Sequence, residues 1–193
     1  MKVEKQKMRL PIKKIEFDGG CLAKKHGKLL PNNVRAIIVG PSNCGKTNLL
    51  LSLLLDKNGL RFENIYLFSK SSNQVKYDYL EKILKGIKGM GFFFFFYEFL
   101  KPEHVNKNSV CIFDDVLTEK QGPIQKKFSM GRHRSLDSCY LGQTYSRIPK
   151  QLIRDNANLI VLFKMDNLNL KHAYDEHAGV DMSYNEFRGI CNK

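Results

Sequence analysis

One short stretch decides the fold of this 193-residue chain: Gly40, Pro41, Ser42, Asn43, Cys44, Gly45, Lys46 and Thr47. It matches the pattern G-x-x-x-x-G-K-[S/T], the Walker A or phosphate-loop sequence. In such a loop, successive backbone N–H groups surround a phosphate, and the helix that follows adds the positive end of its dipole. We therefore expect the stretch to bind ATP, with Lys46 reaching the β- and γ-phosphates and the Thr47 hydroxyl placed on Mg²⁺.

The residues on either side of this loop predict a strand before it and a helix after it. Val34–Val39 is a short apolar, β-branched run, and Lys46–Leu55 is rich in leucine. Further strands are predicted at 64–68, 91–97, 109–113, 137–141 and 159–163, with a short one at 11–17, and helices at 77–88, 168–177 and 183–191. Apolar strands that alternate with helices predict an α/β fold with a mostly parallel central sheet covered on both faces. The phenylalanine run within 91–97 is interpreted as a buried strand.

Two carboxylates follow the predicted strand at 109–113. Ligand sites in open α/β sheets lie at the carboxyl ends of the strands, so Asp114 is expected to bind Mg²⁺ as a Walker B aspartate. Asp115 is then expected to polarise the attacking water. Taken alone, two acids after a strand also fit an ordinary turn, and the phosphate loop in the same chain favours the functional interpretation.

A glutamine and several arginines are further candidates for the same site. Gln143 ends the predicted strand at 137–141, where an amide that donates and accepts hydrogen bonds can sense the γ-phosphate or orient the water; a loop glutamine without a role is the alternative. Phosphoryl transfer also needs positive charge, and the candidates for an arginine finger acting on a neighbouring subunit's nucleotide are Arg132, Arg134, Arg147 and Arg154. Contact with DNA phosphates and an ordinary solvated face remain open for each of them.

The formal net charge of +13 is concentrated in two segments. Residues 1–28 hold nine basic and three acidic residues, and residues 120–154 hold eight and one. Such an excess predicts a polyanionic partner, although a Lys-rich beginning also fits a solvated tail. We expect a basic N-terminal arm at 1–30 and one domain at 31–193.

The composition excludes several other classes of protein. Hydrophobic residues make up 42% of the chain, which is too many for a disordered polycation. The longest apolar run is too short to span a bilayer, and the first residues lack the apolar segment of a secretory signal peptide. The five cysteines do not show the close spacing of a zinc site, which favours a reducing, intracellular compartment.

Taken in order, five blocks of sequence resemble the genome-packaging ATPases of large DNA viruses. They are the phosphate loop, Ile112-Phe-Asp-Asp115, Gly131-Arg-His133, Leu141-Gly-Gln143-Thr-Tyr145 and Ile153-Arg-Asp-Asn-Ala157-Asn158. The chain is similar over about residues 34–190 to the poxvirus-type packaging ATPase and to its relatives in virophages and Maverick/Polinton transposons. These proteins belong to the FtsK–HerA branch of P-loop NTPases.

The resemblance implies an ASCE, RecA-like three-layer sandwich and an ATP-driven motor. Such a motor works as a homo-oligomeric ring, a pentamer or hexamer, that translocates double-stranded DNA into a capsid and contacts capsid proteins. It implies a location in the host cytoplasm or nucleus, in a viral factory or with the virion. It also assigns nucleotide and Mg²⁺ binding to Lys46 and Thr47, the Walker B role to Asp114 and Asp115, and the sensor role to Gln143.

Two features set the chain apart from this family, and two alternative functions remain open. Asp115 stands where much of the wider branch has glutamate, and relatives tend to continue beyond Lys193 into a further segment, so the chain is expected to be a fragment or a short variant. The first alternative is another P-loop enzyme, such as a helicase or a nucleotide kinase. The second is a nucleotide-gated scaffold that binds ATP without hydrolysing it.

Overall fold

A computed structural model describes residues 24–70, 75–96, 104–116, 121–130, 136–151 and 153–192. Within these residues the strands are β1 (Arg35–Val39), β2 (Asn64–Ser69), β3 (Gly91–Phe95), β4 (Ser109–Asp114), β5 (Leu136–Gly142) and β6 (Leu159–Leu162). The helices are α1 (Lys46–Leu55), α2 (Val75–Lys85), α3 (Gln121–Met130), α4 (Asn167–His177) and α5 (Tyr184–Cys191). Short 3₁₀ helices at Tyr145–Arg147 and Arg154–Asn156 lie between β5 and β6.

The described strands form one sheet in the order β3-β2-β4-β5-β1-β6, and each recorded pairing is parallel. The predicted α/β fold with a parallel sheet is therefore confirmed. Parallel strands put their carboxyl ends at the same edge of a sheet, so the residues that follow β1, β4 and β5 meet there. Because β5 lies between β1 and β4, it separates the phosphate-loop strand from the acidic strand.

Hydrophobic cores cover both faces of the sheet, because successive side chains of a strand point to opposite sides. On one face, side chains such as Ile38, Leu67 and Ile112 pack with Leu50 of α1 and Leu80 of α2. On the other face, the core combines strand residues with α3, α4 and the first 3₁₀ helix, and it includes Ile37, Phe113, Phe128, Tyr145 and Ala173. The three layers agree with the predicted sandwich.

The phenylalanine run was interpreted as a buried strand, and this interpretation is wrong. The strand β3 lies at an edge of the sheet, paired with β2 alone among the described strands. Consequently Phe93 and Phe94 keep 40% and 38% of their surface exposed. Phenylalanine suits a strand whether or not both of its faces are covered, so the composition of the run did not distinguish an edge from a centre.

The helix α3 is a segment that the sequence analysis did not predict. Gly122 and Pro123 look like helix breakers, but both lie in its first turn. A proline there costs little, because the backbone N–H that it lacks has no partner within the helix. The strand predicted at 11–17 lies outside the described residues.

The end of the predicted N-terminal arm packs onto the domain. Within 24–30, Leu30 belongs to the core and His26 is buried. The buried carboxylate of Asp137, near the start of β5, accepts hydrogen bonds from Lys25 Nζ at 2.8 Å and from the backbone N–H of Val34 at 2.7 Å. A ring nitrogen of His26 lies 3.2 Å from the same carboxylate. Residues 24–30 are thus part of the folded unit.

None of the helices in the described part of the chain is both long and apolar enough to span a membrane.

Candidate functional site

The phosphate loop links the end of β1 to the start of α1, as its sequence predicts. Gly45 precedes α1 with a φ of 107°, and Asn43 has a φ of 59°. Gly40 is buried beneath Phe163, and a Cβ atom there would lie 2.4 Å from the Phe163 Cβ. The loop therefore needs glycine at two positions. Gly45 has a left-handed backbone, and at Gly40 there is no space for a Cβ atom.

The side chain of Lys46 lies over the loop. Its Nζ donates hydrogen bonds to the carbonyl oxygens of Gly40 and Pro41, both at 2.7 Å. These bonds hold a positive charge at the mouth of the loop, beside the first backbone N–H groups of α1. This is the place where the helix dipole favours an anion.

The acidic pair lies at the carboxyl end of β4. Asp114 is its last residue and is buried, and its Oδ2 accepts a hydrogen bond from the Tyr77 hydroxyl at 2.7 Å. Asp115 follows with a left-handed backbone (φ 55°) and is exposed. The change of backbone conformation between the two residues lets one carboxylate remain in the fold while the other reaches the solvent side of the site.

A cavity of about 580 Å³ brings these predicted residues together. Gln143, just beyond β5, lies in its wall between the phosphate loop and the acidic pair, as the strand order requires. The lining residues are Ser42, Asn43, Gly45, Lys46, Thr47, Asn48, Val75, Lys76, Asp114, Asp115, Leu141 and Gln143. Loop, carboxylates and glutamine thus share one open site.

The donor set in this cavity fits a magnesium ion that arrives with a nucleotide. Thr47 and Asp114 offer a hydroxyl and a carboxylate, and Mg²⁺ prefers such oxygen ligands. Among the described residues no group of three His, Cys, Asp or Glu side chains is placed to hold a metal. A metal held by Thr47 and Asp114 would therefore take its other ligands from phosphate oxygens and water, as Mg²⁺ commonly does.

The first turn of α2 contributes residues that the sequence analysis did not identify. Val75 and Lys76 line the cavity, and the Tyr77 hydroxyl donates a hydrogen bond to Asp114. The sequence predicts an amphipathic helix at 77–88, which begins at Tyr77 and leaves Val75 and Lys76 outside it, whereas α2 starts at Val75. No motif marks them, because their position depends on how α2 packs against the sheet.

The four candidate arginines have different surroundings. Arg132 and Arg134 lie outside the described residues, and Arg147 is exposed on the first 3₁₀ helix. Arg154 is only 8% exposed, and its Nη1 lies 2.8 Å from Glu176 Oε1. Its guanidinium carbon lies 5.0 Å from the centre of the Tyr145 ring. Arg154 is therefore directed into its own subunit, and this placement disfavours it as a finger that reaches a neighbour.

Arg154 belongs to a hydrogen-bonded group that we call the Arg154 cluster: Tyr145, Arg154, Glu176 and His177. The Tyr145 hydroxyl donates to Glu176 Oε2 at 2.8 Å and lies 2.6 Å from His177 Nε2. Burial, reinforced by Glu176, raises the pKa of Tyr145, so its phenol stays neutral. The cluster joins the segment after Gln143 to α4.

In the described part of the basic segment at 120–154, fewer cations reach the solvent than the sequence suggests. Lys127 is fully buried, with its Nζ 4.8 Å from the centre of the Phe68 ring, and burial lowers its pKa. Arg154 is paired with Glu176. Among the described basic residues of this segment, those that reach the surface are Lys126, Arg147 and Lys150.

No protein-family model and no curated protein matches the sequence. Comparison with solved structures does find similar folds. The genome packaging NTPase B204 of Sulfolobus turreted icosahedral virus 2, in complex with sulfate, has a TM-score of 0.55 at 14% identity, over 80% of this chain and 85% of that one. Its complex with AMPPCP has a TM-score of 0.53 at 15% identity, over 80% and 86%.

The cytoplasmic domain of EssC is also similar, with a TM-score of 0.56 at 16% identity over 78% of this chain, although the match covers only 35% of that protein. Identities this low establish the fold and no more. The chain thus has the RecA-like fold of P-loop NTPases, as the resemblance implied.

Proposed function

We propose that this chain is an ATPase that moves double-stranded DNA into a viral or virus-like capsid. The observation that carries the proposal is the meeting of the phosphate loop, Asp114, Asp115 and Gln143 in one cavity at the carboxyl edge of the sheet. The similarity in fold to a genome packaging NTPase supports it.

Each residue of the cavity has a role in this proposal. The loop from Gly40 to Thr47 binds the phosphates, and Lys46 exchanges its bonds to loop carbonyls for bonds to phosphate oxygens. Thr47 and Asp114 hold Mg²⁺, which neutralises the charge of the phosphates when it is bound. Asp115 accepts a proton from the attacking water, and Gln143 orients that water or detects the γ-phosphate.

Motor action would require a ring of copies of this chain, a pentamer or hexamer, in which each subunit completes its neighbour's site. Of the four candidate arginines, Arg147 is exposed in the structure, and we retain it, with Arg132 and Arg134, as a candidate for the finger. The track for DNA would combine the exposed cations of 120–154 with the arm, because a motor that ignores sequence binds phosphates. Such a protein would act in the host cytoplasm or nucleus beside capsid proteins.

The test is ATP hydrolysis by the full chain with and without double-stranded DNA of unrelated sequences. We expect DNA of any sequence to stimulate hydrolysis, and we expect Lys46→Ala and Asp114→Asn to abolish it, whereas Lys57→Ala, an exposed lysine beyond α1, leaves it unchanged. Hydrolysis that ignores DNA would contradict the motor and leave a general NTPase. ATP binding without hydrolysis would favour the scaffold.

A second measurement tests the electrostatic part of the proposal. DNA affinity should fall steeply as the salt concentration rises, because each phosphate contact releases a bound counterion. An affinity that does not change with salt would contradict binding through phosphates.

A further inference from the structure

The side chain of Tyr77 connects the hydrophobic core to the nucleotide cavity. It is 3% exposed and packs in the core between the sheet and α2, among side chains such as Leu80 and Leu84. Another tyrosine of the same helix, Tyr79, is 57% exposed. The amphipathic helix therefore buries one tyrosine ring and leaves the other in solvent, although both belong to the same two turns.

The phenol oxygen of Tyr77 contacts one of the two side chains that are proposed to hold the metal. It donates a hydrogen bond to Asp114 Oδ2 at 2.7 Å, and the side chain of Thr47, the other proposed ligand, is a neighbour of the same hydroxyl. The hydrogen bond to Asp114 joins α2 to the end of β4.

The phenol remains a donor over the whole range in which the protein would work. The pKa of an ordinary tyrosine phenol, about 10, already lies above physiological pH, and the hydroxyl of the buried Tyr77 has Asp114 as its hydrogen-bond acceptor. The hydroxyl therefore keeps its proton, and the carboxylate of Asp114 keeps a neutral donor beside it.

A carboxylate that accepts such a bond at one oxygen has its plane fixed, and the direction of its other oxygen is fixed with it. We propose that Tyr77 is a positioning residue that holds the Asp114 carboxylate in the arrangement that binds nucleotide-bound Mg²⁺ together with Thr47. The inference rests on the proposed function, since it concerns the metal of that same site. Tyr77 touches neither the nucleotide nor the metal in this role and acts through Asp114.

The size of the effect follows from the behaviour of other metal sites. Removing a partner that orients a metal ligand commonly reduces metal affinity by about 10- to 100-fold. Tyr77→Phe removes the hydroxyl and keeps the ring that packs in the core. Tyr79→Phe removes a hydroxyl from the exposed tyrosine of the same helix and is the matched control.

The experiment measures the affinity of the full chain for the non-hydrolysable analogue AMPPCP twice, with Mn²⁺ and with EDTA. The dissociation constant in EDTA divided by the dissociation constant with Mn²⁺ reports how much the metal contributes to binding. We expect Tyr77→Phe to reduce this ratio about tenfold or more, by weakening binding with Mn²⁺ and leaving binding in EDTA unchanged. Tyr79→Phe should retain the wild-type ratio.

Several results would overturn the inference. A wild-type ratio in Tyr77→Phe would show that the hydroxyl does not position the metal ligands. A larger ratio would show that it competes with the metal, and equal weakening with and without Mn²⁺ would indicate a disturbed loop. If the wild type itself shows no metal-dependent binding, the proposed function falls as well, which separates the two failures.

A measurement on the wild type covers the case in which Tyr77→Phe does not fold. Protein labelled with fluorotyrosine is saturated with AMPPCP in EDTA, and excess Mg²⁺ is then added. One buried fluorotyrosine signal should shift as Asp114 and Thr47 bind the metal. If no buried signal moves, the hydroxyl is not coupled to the metal ligands.

Discussion

The nucleotide cavity and the Arg154 cluster both collect charged and polar side chains near β5, and they use them in opposite ways. In the cavity, Asp115 and Gln143 are exposed and face a common space of about 580 Å³. In the cluster, the side chains of Arg154 and Glu176 are 10% and 16% exposed and pair with one another. The first region presents its polar groups to an open cavity, and in the second Arg154 and Glu176 pair with one another.

The difference shows why the charge of a residue does not by itself indicate its role. Arginine in a packaging-type motif suggests a finger, but the guanidinium of Arg154 already has the largely buried carboxylate of Glu176 beside it. Breaking a buried pair is costly because the remaining charge has no partner. We therefore expect substitutions in the cluster to change stability and substitutions in the cavity to change binding.

The largest expected effect is that of Arg154→Ala, which should lower the free energy of unfolding by about 3 kcal/mol, because the largely buried carboxylate of Glu176 would lose its charged partner. Urea denaturation measures it, and Arg147→Ala on the exposed 3₁₀ helix is the control, with a change within about 0.5 kcal/mol. A variant of wild-type stability that loses DNA-stimulated hydrolysis would restore Arg154 as the finger and remove the contrast between the two regions.

For Lys46→Ala we expect the reverse behaviour. The affinity for ATP analogues should fall about 100-fold, equivalent to about 2.7 kcal/mol, because the loop loses the cation that binds the phosphates. The free energy of unfolding should change by less than about 0.5 kcal/mol. Calorimetric titration and urea denaturation of the same sample give both values. A large loss of stability with intact binding would mean that Lys46 stabilises the fold and does not bind the phosphates.

A smaller effect is expected for Tyr145→Phe, which removes the hydroxyl that bonds Glu176 and His177. Hydrogen bonds to charged groups stabilise proteins by about 1.5 kcal/mol or more, so the free energy of unfolding should fall by about that amount. Tyr184→Phe is the matched control, since its hydroxyl makes a longer bond of 3.3 Å to a backbone carbonyl. Equal values for the two variants would show that the cluster adds nothing to stability.

The smallest effect is a pH dependence that arises at His177. Burial lowers the pKa of His177; Arg154 lowers it further, while Glu176 and Asp155 oppose the change. The unfolded chain therefore binds a proton more readily, and stability should decrease as the pH falls from the ordinary histidine pKa through the lower value of the folded state. Unfolding at pH 7 and pH 5.5 should show a smaller decrease for His177→Asn than for the wild type. If both proteins lose the same free energy of unfolding between pH 7 and pH 5.5, a group other than His177 causes the pH dependence.

The sequence was most informative where function needs a fixed local pattern. The phosphate loop requires glycine at positions where a side chain would clash or the backbone is left-handed, so its glycines could be found without a structure. The acidic pair and Gln143 were predictable because parallel strands end at one edge. Their meeting in one cavity follows from the place of β5 between β1 and β4.

Other features depend on packing between distant segments and could not be predicted. An exposed and a buried tyrosine look the same in the sequence of α2, and only the packing of that helix directs Tyr77 to Asp114. In the sequence nothing distinguishes Arg154 from the other candidate arginines. Its pairing with Glu176 depends on how α4 packs. The edge position of β3 depends on strand order, which the alternation of strands and helices left open.

The attachment of Lys25 and His26 to Asp137 has a mechanical consequence. Asp137 lies near the start of β5 and Gln143 just beyond its end, about 20 Å apart for an extended strand of that length. Val34, held by the same carboxylate, leads directly into β1 and the phosphate loop. Lys25 and His26 thus form a tether at the place where these two strands begin, and the cavity lies where they end. A pulling force on that tether would act along the axes of β1 and β5. The phosphate loop, at the end of β1, and Gln143, beyond the end of β5, would therefore experience it together.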